Sequence, residues 1–134
     1  MMDLVVDANV LFSVFIKDGV TAELLLDEDL HLFAPEFIIE EFEDHKYDII
    51  RKTTRTEREF NDLYSILKTI ITIFPVEEFN QFIQKAEKLS PDPDDVHYFA
   101  LALKLHCGIW SNDKALKHQN KVLIFNTSDI MARR

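Results

Sequence analysis

Acidic side chains stand next to the apolar runs of this sequence. Asp7 and Asp113 each follow a short apolar run, and Asp92, Asp94 and Asp95 open an apolar segment of helical spacing. Carboxylate oxygens are the ligands that Mg²⁺ prefers in proteins, and Mn²⁺ accepts the same ligand type. If folding brings these residues together, the chemistry they suit is the binding of a hard divalent cation.

The elements that must position these acids alternate along the chain. Short apolar runs predict five strands, at 4–6, 31–34, 70–74, 107–110 and 122–125. Helical periodicity predicts helices between them, at 10–16, 22–26, 35–50, 60–67, 79–89, 96–105, 114–118 and 127–132. Strands separated by helices form a parallel sheet covered on both faces. We therefore predict a three-layer α/β/α sandwich with a five-stranded parallel sheet.

Local signals predict where several helices begin and end. Asn9 is a candidate N-cap of the first helix, which Asp18-Gly19 should end, and Pro35 suits the first turn of the third. Thr56 and Glu59 have the spacing of a capping box. These signals set helix boundaries independently of any function.

The predicted topology brings the acids to one edge of the sheet. A helix that precedes a parallel strand runs antiparallel to it, so Asp92 and Asp95 should lie near Asp113. Asp7 ends the first strand at the same edge, where ligand sites of open α/β sheets lie. Isolated acids at such positions are usually turn residues or caps, and Asp92 before Pro93 is a good N-cap. Convergence of several acids is what favours a functional site.

One further acid comes from a glutamate pair in the third helix. At 100° per residue, Ile38, Phe42, His45 and Ile49 define an inward stripe, with Glu41 at its border and Glu40 pointing away. We therefore predict that Glu41 faces the acidic edge, and that Glu40 is exposed surface.

Composition limits the classes of protein to consider. The 134 residues, with 47% hydrophobic residues and two glycines, suit a single domain over 1–134. One cysteine excludes an intrachain disulfide, and no apolar run is long enough to span a membrane, so we expect a cytoplasmic protein without membrane attachment. The net charge of −9 opposes broad binding to nucleic acid, unless cations neutralise part of it at one site.

Four segments together resemble the PIN-domain nucleases. They are Asp-Ala-Asn-Val-Leu at 7–11, Pro35 through the Glu40-Glu41 pair, Asp92-Pro-Asp-Asp95 before an alanine-rich helix, and Ser111-Asn-Asp113. The resemblance implies the strand order 3-2-1-4-5, a metal-dependent endoribonuclease activity and frequent homodimers. Many members of that family are toxins of type II toxin–antitoxin modules, whereas others process RNA without an antitoxin.

Motif by motif, the resemblance assigns roles to residues of this chain. The catalytic acids would be Asp7, Glu41, Asp95 and Asp113, with Asn9, Asp92 and Ser111 in supporting positions. Our hypothesis is that Asp7 and Asp113 bind Mg²⁺ or Mn²⁺ directly or through water, with Asp95 as a further metal residue, and that a metal-activated water attacks the phosphodiester. Glu41 and Asp95 would complete the metal's ligand shell or orient that water. The chain's histidines lack metal-ligand spacing with one another.

Basic residues offer candidate contacts to RNA phosphates. The candidates are Arg51, Lys52, Arg55, Arg58 and Lys114. A basic run this short is also typical of an exposed connector.

Three alternatives place acids at the same edge. A receiver-like phosphoacceptor fits worse, because the third strand ends in Phe74-Pro75 without a carboxylate, and a haloacid-dehalogenase-type phosphatase would need an aspartate where Asn9 stands. A non-catalytic RNA- or protein-binding module on the same fold stays open.

Overall fold

The computed structural model of the protein describes residues 2–16 and 19–133. Five parallel strands form one sheet in the order β3-β2-β1-β4-β5. The strands are β1 (Met2–Val6), β2 (Leu30–Pro35), β3 (Ile71–Phe74), β4 (Gly108–Trp110) and β5 (Ile124–Phe125). The predicted fold class and strand order are confirmed.

Helices cover both faces of this sheet. They are α1 (Ala8–Ile16), α2 (Gly19–Leu25), α3 (Phe37–Thr53), α4 (Glu57–Ile70), α5 (Ile83–Leu89), α6 (Val96–Leu105) and α7 (Thr127–Ala132). Short 3₁₀ turns lie at Val76–Glu78, Asn80–Phe82, Pro93–Asp95 and Lys114–Lys117. Right-handed crossovers put α1 and α3 on one face, since the chain moves from β1 out to β3, and α5 and α6 on the other, since it then returns to β4. Within the described residues, no helix combines the length and apolarity needed to cross a membrane.

The central strand β1 lies in the middle of the core. Leu4, Val5 and Val6 have no exposed surface, as expected for a parallel strand covered by helices on both faces. Aromatic rings fill the layer between the sheet and α1, α3 and α4: Phe42 contacts Phe12 edge-on at 4.8 Å and stacks on Tyr64 at 5.0 Å between ring centroids. The start of α1 is therefore held firmly beside the end of β1.

Several predicted boundaries are wrong. Asn9 does not cap α1, because the carboxylate of Asp7 accepts the Val10 N–H at 2.9 Å and the helix begins at Ala8. Pro35 is the last residue of β2, paired with Phe74, so α3 begins two residues later. The break predicted at Asp18 lies outside the described residues.

Other predicted elements are shorter than expected or form a 3₁₀ turn in place of an α-helix. The helix predicted at 79–89 is α-helical only from Ile83, because 3₁₀ turns precede it, and β5 is confined to Ile124–Phe125. The segment after Asp113 is a 3₁₀ turn. The capping box of Thr56 and Glu59 is present as predicted.

Gly108 lets β4 and β5 approach closely. A Cβ on Gly108 would lie 2.6 Å from the Phe125 ring and 2.8 Å from the Leu123 carbonyl oxygen. Only glycine fits this contact, so the residue sets the packing of the edge strand β5 against β4, the strand that precedes Asp113.

Candidate active site

The pairing of β1 with β4 brings two of the predicted acids to neighbouring strand ends. Val6 is aligned with Trp110, and the backbone N–H of Asp7 donates to the Trp110 carbonyl at 3.2 Å. Asp7 is 5% exposed and Ser111 1% exposed, whereas Asp113 is exposed. The buried carboxylate of Asp7 is therefore covered by Ser111 and adjoins the charge of Asp113.

Burial decides the protonation behaviour of Asp7. Desolvation raises the pKa of its carboxyl group, a hydrogen bond with the Ser111 side chain and the Val10 N–H lower it, and the negative charge of Asp113 raises it. The net effect is a raised pKa. A carboxylate that is costly to ionise in a buried site gains from a nearby cation.

Glu41 reaches the same edge from the second turn of α3. Its Oε1 accepts a hydrogen bond of 2.6 Å from the Tyr98 hydroxyl of α6. Burial raises the pKa of Glu41, the Tyr98 hydrogen bond lowers it, and the charge of Asp7 raises it. Glu41 is half-buried whereas Glu40 is exposed, the orientation that the helical stripe predicted for the pair.

Asp95 lies where the charges of the other acids converge. Its pKa is raised to about 7, first by desolvation and then by the negative charges of Asp92, Asp7, Asp113 and Glu41, in that order. Acids from three other chain segments and the neighbouring Asp92 thus act on one half-buried carboxyl group. The structure therefore brings together the acids predicted to converge at this edge.

Capping accounts for some of these acids and leaves one unexplained. Asp92 Oδ1 accepts the Asp94 N–H at 2.9 Å, and Asp113 Oδ1 accepts the Ala115 N–H at 3.0 Å. Asp95 stands before α6 without a side-chain capping hydrogen bond. Helix capping therefore does not explain why a carboxylate occupies position 95.

The acids are close enough to act on one another electrostatically, but they do not form a ready metal-binding site. Within residues 2–16 and 19–133, no three His, Cys, Asp or Glu side chains are arranged so that they could hold a metal ion. Two carboxylates are turned toward capping bonds, Asp7 toward Val10 and Asp113 toward Ala115. The donor set itself consists of hard oxygen ligands, which is the chemistry that Mg²⁺ and Mn²⁺ prefer. The residues fit a divalent cation in type, and binding would require some of the side chains to rotate.

The supporting residues take different positions. The Ser111 Oγ accepts the Asp113 N–H at 3.1 Å, which ties the residues after β4 to the acidic edge. Asn9 is exposed and lines a cleft between α1 and α3. Asp92 contributes through its charge on Asp95.

The candidate phosphate contacts do not form one basic surface. Arg51 pairs with Asp48, and Arg55 Nε donates to the Phe15 carbonyl at the end of α1, at 2.9 Å. Lys52 lines the cleft beside α1. Arg58 and Lys114 are exposed. Two of the five side chains are thus already engaged within the protein.

Tyr98 is a residue of the site that was not predicted from the sequence. It lies three residues after Asp95, so both stand on one side of α6 at its start, and this spacing was the available signal. The prediction that His45 points inward is wrong, because its side chain is exposed. It interacts electrostatically with Glu41 and lowers the pKa of that carboxyl group.

Known proteins share both sequence features and fold with this chain. Residues 5–122 match the PIN domain family. The fold is similar to VapBC2 of Rickettsia felis, solved bound to a DNA fragment from its promoter, with a TM-score of 0.67 at 12% identity over 93% of this chain and 98% of that one. It is also similar to PAE2754 of Pyrobaculum aerophilum, with a TM-score of 0.68 at 12% identity over 98% of this chain and 88% of that one. No curated protein matches the sequence.

The family match includes the first four strands and the segments that carry all four predicted catalytic acids. It spans well over half of the chain. The protein therefore belongs to the PIN domain family, whose members are generally nucleases.

Proposed function

We propose that this protein is an endoribonuclease that requires Mg²⁺ or Mn²⁺ and hydrolyses phosphodiester bonds of RNA. The observation that carries the proposal is the convergence of charge on Asp95, whose pKa rises to about 7 through burial and through the negative charges of Asp92, Asp7, Asp113 and Glu41. Ionised carboxylates this close repel one another, and a bound cation or proton relieves that repulsion.

Asp7, Asp95 and Asp113 would hold the cation. When bound, the ion would neutralise phosphoryl oxygens and lower the pKa of a water molecule. Asp113 is exposed and uses Oδ1 for its capping bond, so its side chain can turn toward Asp7 without a change in the backbone. Asp7 is fixed more firmly, because it is buried and caps α1.

Glu41 would orient the attacking water. Because its pKa is raised, the Glu41 carboxylate accepts a proton more readily near neutral pH than an ordinary glutamate does. Tyr98 holds one carboxylate oxygen at 2.6 Å, which leaves the other to face the substrate. The hydrogen bond from Ser111 lowers the pKa of Asp7 and so favours its ionised form against the larger effect of burial.

The family match and the solved structures of similar fold support a proposal about the substrate and partners. We propose RNA as the substrate, with Lys52, Arg58 and Lys114 as the phosphate contacts that remain available. We further propose a toxin role in which an antitoxin protein blocks the site, since a similar fold was solved as VapBC2 with promoter DNA. A homodimer is also proposed, and light scattering of the purified protein tests it.

Cleavage of single-stranded RNA in Mg²⁺ or Mn²⁺, compared with EDTA, tests the activity. Asp113→Asn is the informative variant, because asparagine still caps the following turn while one negative charge is lost. We expect cleavage to fall by about 100-fold or more. Asp94→Asn, an exposed neighbour of Asp95, is the matched control and should retain cleavage. Full activity of Asp113→Asn would remove that residue from the proposed site.

A non-catalytic binding module is the second candidate. It is favoured by one observation: within the described part of the chain, no three acids are already arranged to hold a metal ion. The same assay separates the two, because a module would bind RNA or a protein partner but would leave RNA intact in every metal tested.

A further inference from the structure

A cleft of about 340 Å³ opens between α1 and α3, next to the acidic edge. Asn9, Phe12 and Ser13 line it from α1, and His45, Asp48 and Lys52 line it from α3. Asn9 stands two residues after Asp7, and His45 one helical turn after Glu41. The cleft therefore begins at the proposed catalytic acids and runs along α3 toward Lys52.

The size and walls of the cleft suit a single planar ring system. Small-ligand pockets begin at roughly 300 Å³, so the volume admits one nucleotide unit. Phe12 and His45 lie edge to face, with ring centroids 5.6 Å apart, and Phe12 is held in place by Phe42 at 4.8 Å. Aromatic and histidine rings are the surfaces on which unpaired RNA bases stack.

Two polar side chains of the cleft, Ser13 and Asp48, can only accept hydrogen bonds from a ligand. Ser13 donates its hydroxyl proton to the Val10 carbonyl at 2.6 Å, so toward the cleft its oxygen can only accept. The Asp48 carboxylate also accepts, and Arg51 already neutralises it. A ligand group that contacts Ser13 and Asp48 must therefore be a hydrogen-bond donor.

The charge of the protein gives base contacts particular weight. The chain carries a net charge of −9, and its acidic edge repels phosphates. Lys52 supplies one cation at the cleft. Stacking and hydrogen bonding to a base supply attraction that does not depend on phosphate charge.

We propose that this cleft binds one unpaired nucleobase of the RNA substrate, next to the scissile phosphate, and prefers bases with an exocyclic amino group. The base stacks on the exposed His45 ring and meets the near-perpendicular Phe12 ring at its edge. Its amino group donates to Ser13 and Asp48, and Lys52 contacts the adjoining phosphate. This inference rests on the proposed nuclease function, because it assigns a subsite to that substrate.

Equilibrium binding of short oligonucleotides in EDTA tests the cleft without any cleavage. The tetramers C₄ and U₄ are compared by fluorescence anisotropy, since both bases are pyrimidines and only cytosine has an amino group. We expect C₄ to bind about fivefold or more tightly than U₄. Ser13→Ala and Asp48→Ala should reduce that ratio toward one.

His45→Ala should weaken both tetramers by a similar factor, about fivefold, because stacking tolerates any base. Ser65→Ala, on the exposed face of α4, and His31→Ala, at the opposite edge of the sheet, are the matched controls and should bind like the wild type. Equal affinity of the wild type for C₄ and U₄, or an unchanged ratio in both Ser13→Ala and Asp48→Ala, would overturn the proposal.

A cleavage assay run in parallel separates this inference from the proposed function. A wild type that cleaves RNA but binds the two tetramers equally retains the function and loses the base cleft. A wild type that cleaves no RNA in any metal, yet shows the C₄ preference and its loss in the variants, retains the cleft as a binding site and loses the nuclease function.

Discussion

Removal of the Asp95 carboxylate should stabilise the metal-free protein by an amount that grows between about pH 4 and about pH 7 and is complete above that window. Asp95 has a pKa raised from 3.8 to about 7, so between these values the folded protein holds a proton that the unfolded chain has released. Its contribution to stability is complete below about pH 4 and is lost as the pH rises through about 7. Asparagine cannot ionise, so Asp95→Asn should avoid this loss.

The size of this stabilisation follows from the pKa shift of Asp95. For a fully buried group, a rise of this size would correspond to roughly 4 kcal/mol. Asp95 is half-exposed, and water screens its neighbours, so we expect about 1–2 kcal/mol at pH 8. For a chain of this length, that should raise the melting temperature by roughly 3–8 °C.

Thermal unfolding followed by circular dichroism in EDTA, at pH 4.5 and at pH 8, measures the effect. Asp95→Asn should melt above the wild type at pH 8, and the difference should nearly vanish at pH 4.5. Asp94→Asn controls for the loss of one acid at an exposed position and should change little. An Asp95→Asn protein that is no more stable than the wild type at pH 8, or equally stabilised at both pH values, would refute the charge convergence.

The remaining predictions concern single contacts. Tyr98→Phe removes the hydroxyl that holds Glu41. The kcat of RNA cleavage should fall by about tenfold, whereas the free energy of unfolding should change by only about 1 kcal/mol. An unchanged kcat would deny Tyr98 a positioning role. Thr54 adopts a left-handed backbone, φ 58°, at the end of α3, a conformation that strains a residue with a Cβ. Thr54→Gly should therefore stabilise the protein by about 1 kcal/mol in urea unfolding. A loss of stability would contradict this backbone strain. Gly108→Ala places a Cβ against the Phe125 ring and the Leu123 carbonyl, and should cost about 1–3 kcal/mol in the same measurement; a neutral effect would mean that β5 can shift freely.

The sequence by itself determined the parts of this protein that depend on neighbouring residues. The capping box of Thr56 and Glu59 forms within four residues, and the apolar run of β1 identifies a central strand because both of its faces are buried. The order of strands and helices, together with the handedness of crossovers, then restricts the acids to one edge. The fold class and the choice of Glu41 as the inward glutamate were available on these grounds.

Features that depend on distant residues were decided only by the tertiary structure. Pro35 became a strand residue because β3 extends the pairing of β2 to that position, and Asp7 replaced Asn9 as the cap of α1. The bond between Tyr98 and Glu41 joins residues 57 positions apart, which no local pattern encodes. The pKa of Asp95 depends on charges from several segments. Spacing along the chain can place acids at one edge, but distances and burial, which set protonation and the direction of each carboxylate, exist only once the helices and the sheet have packed.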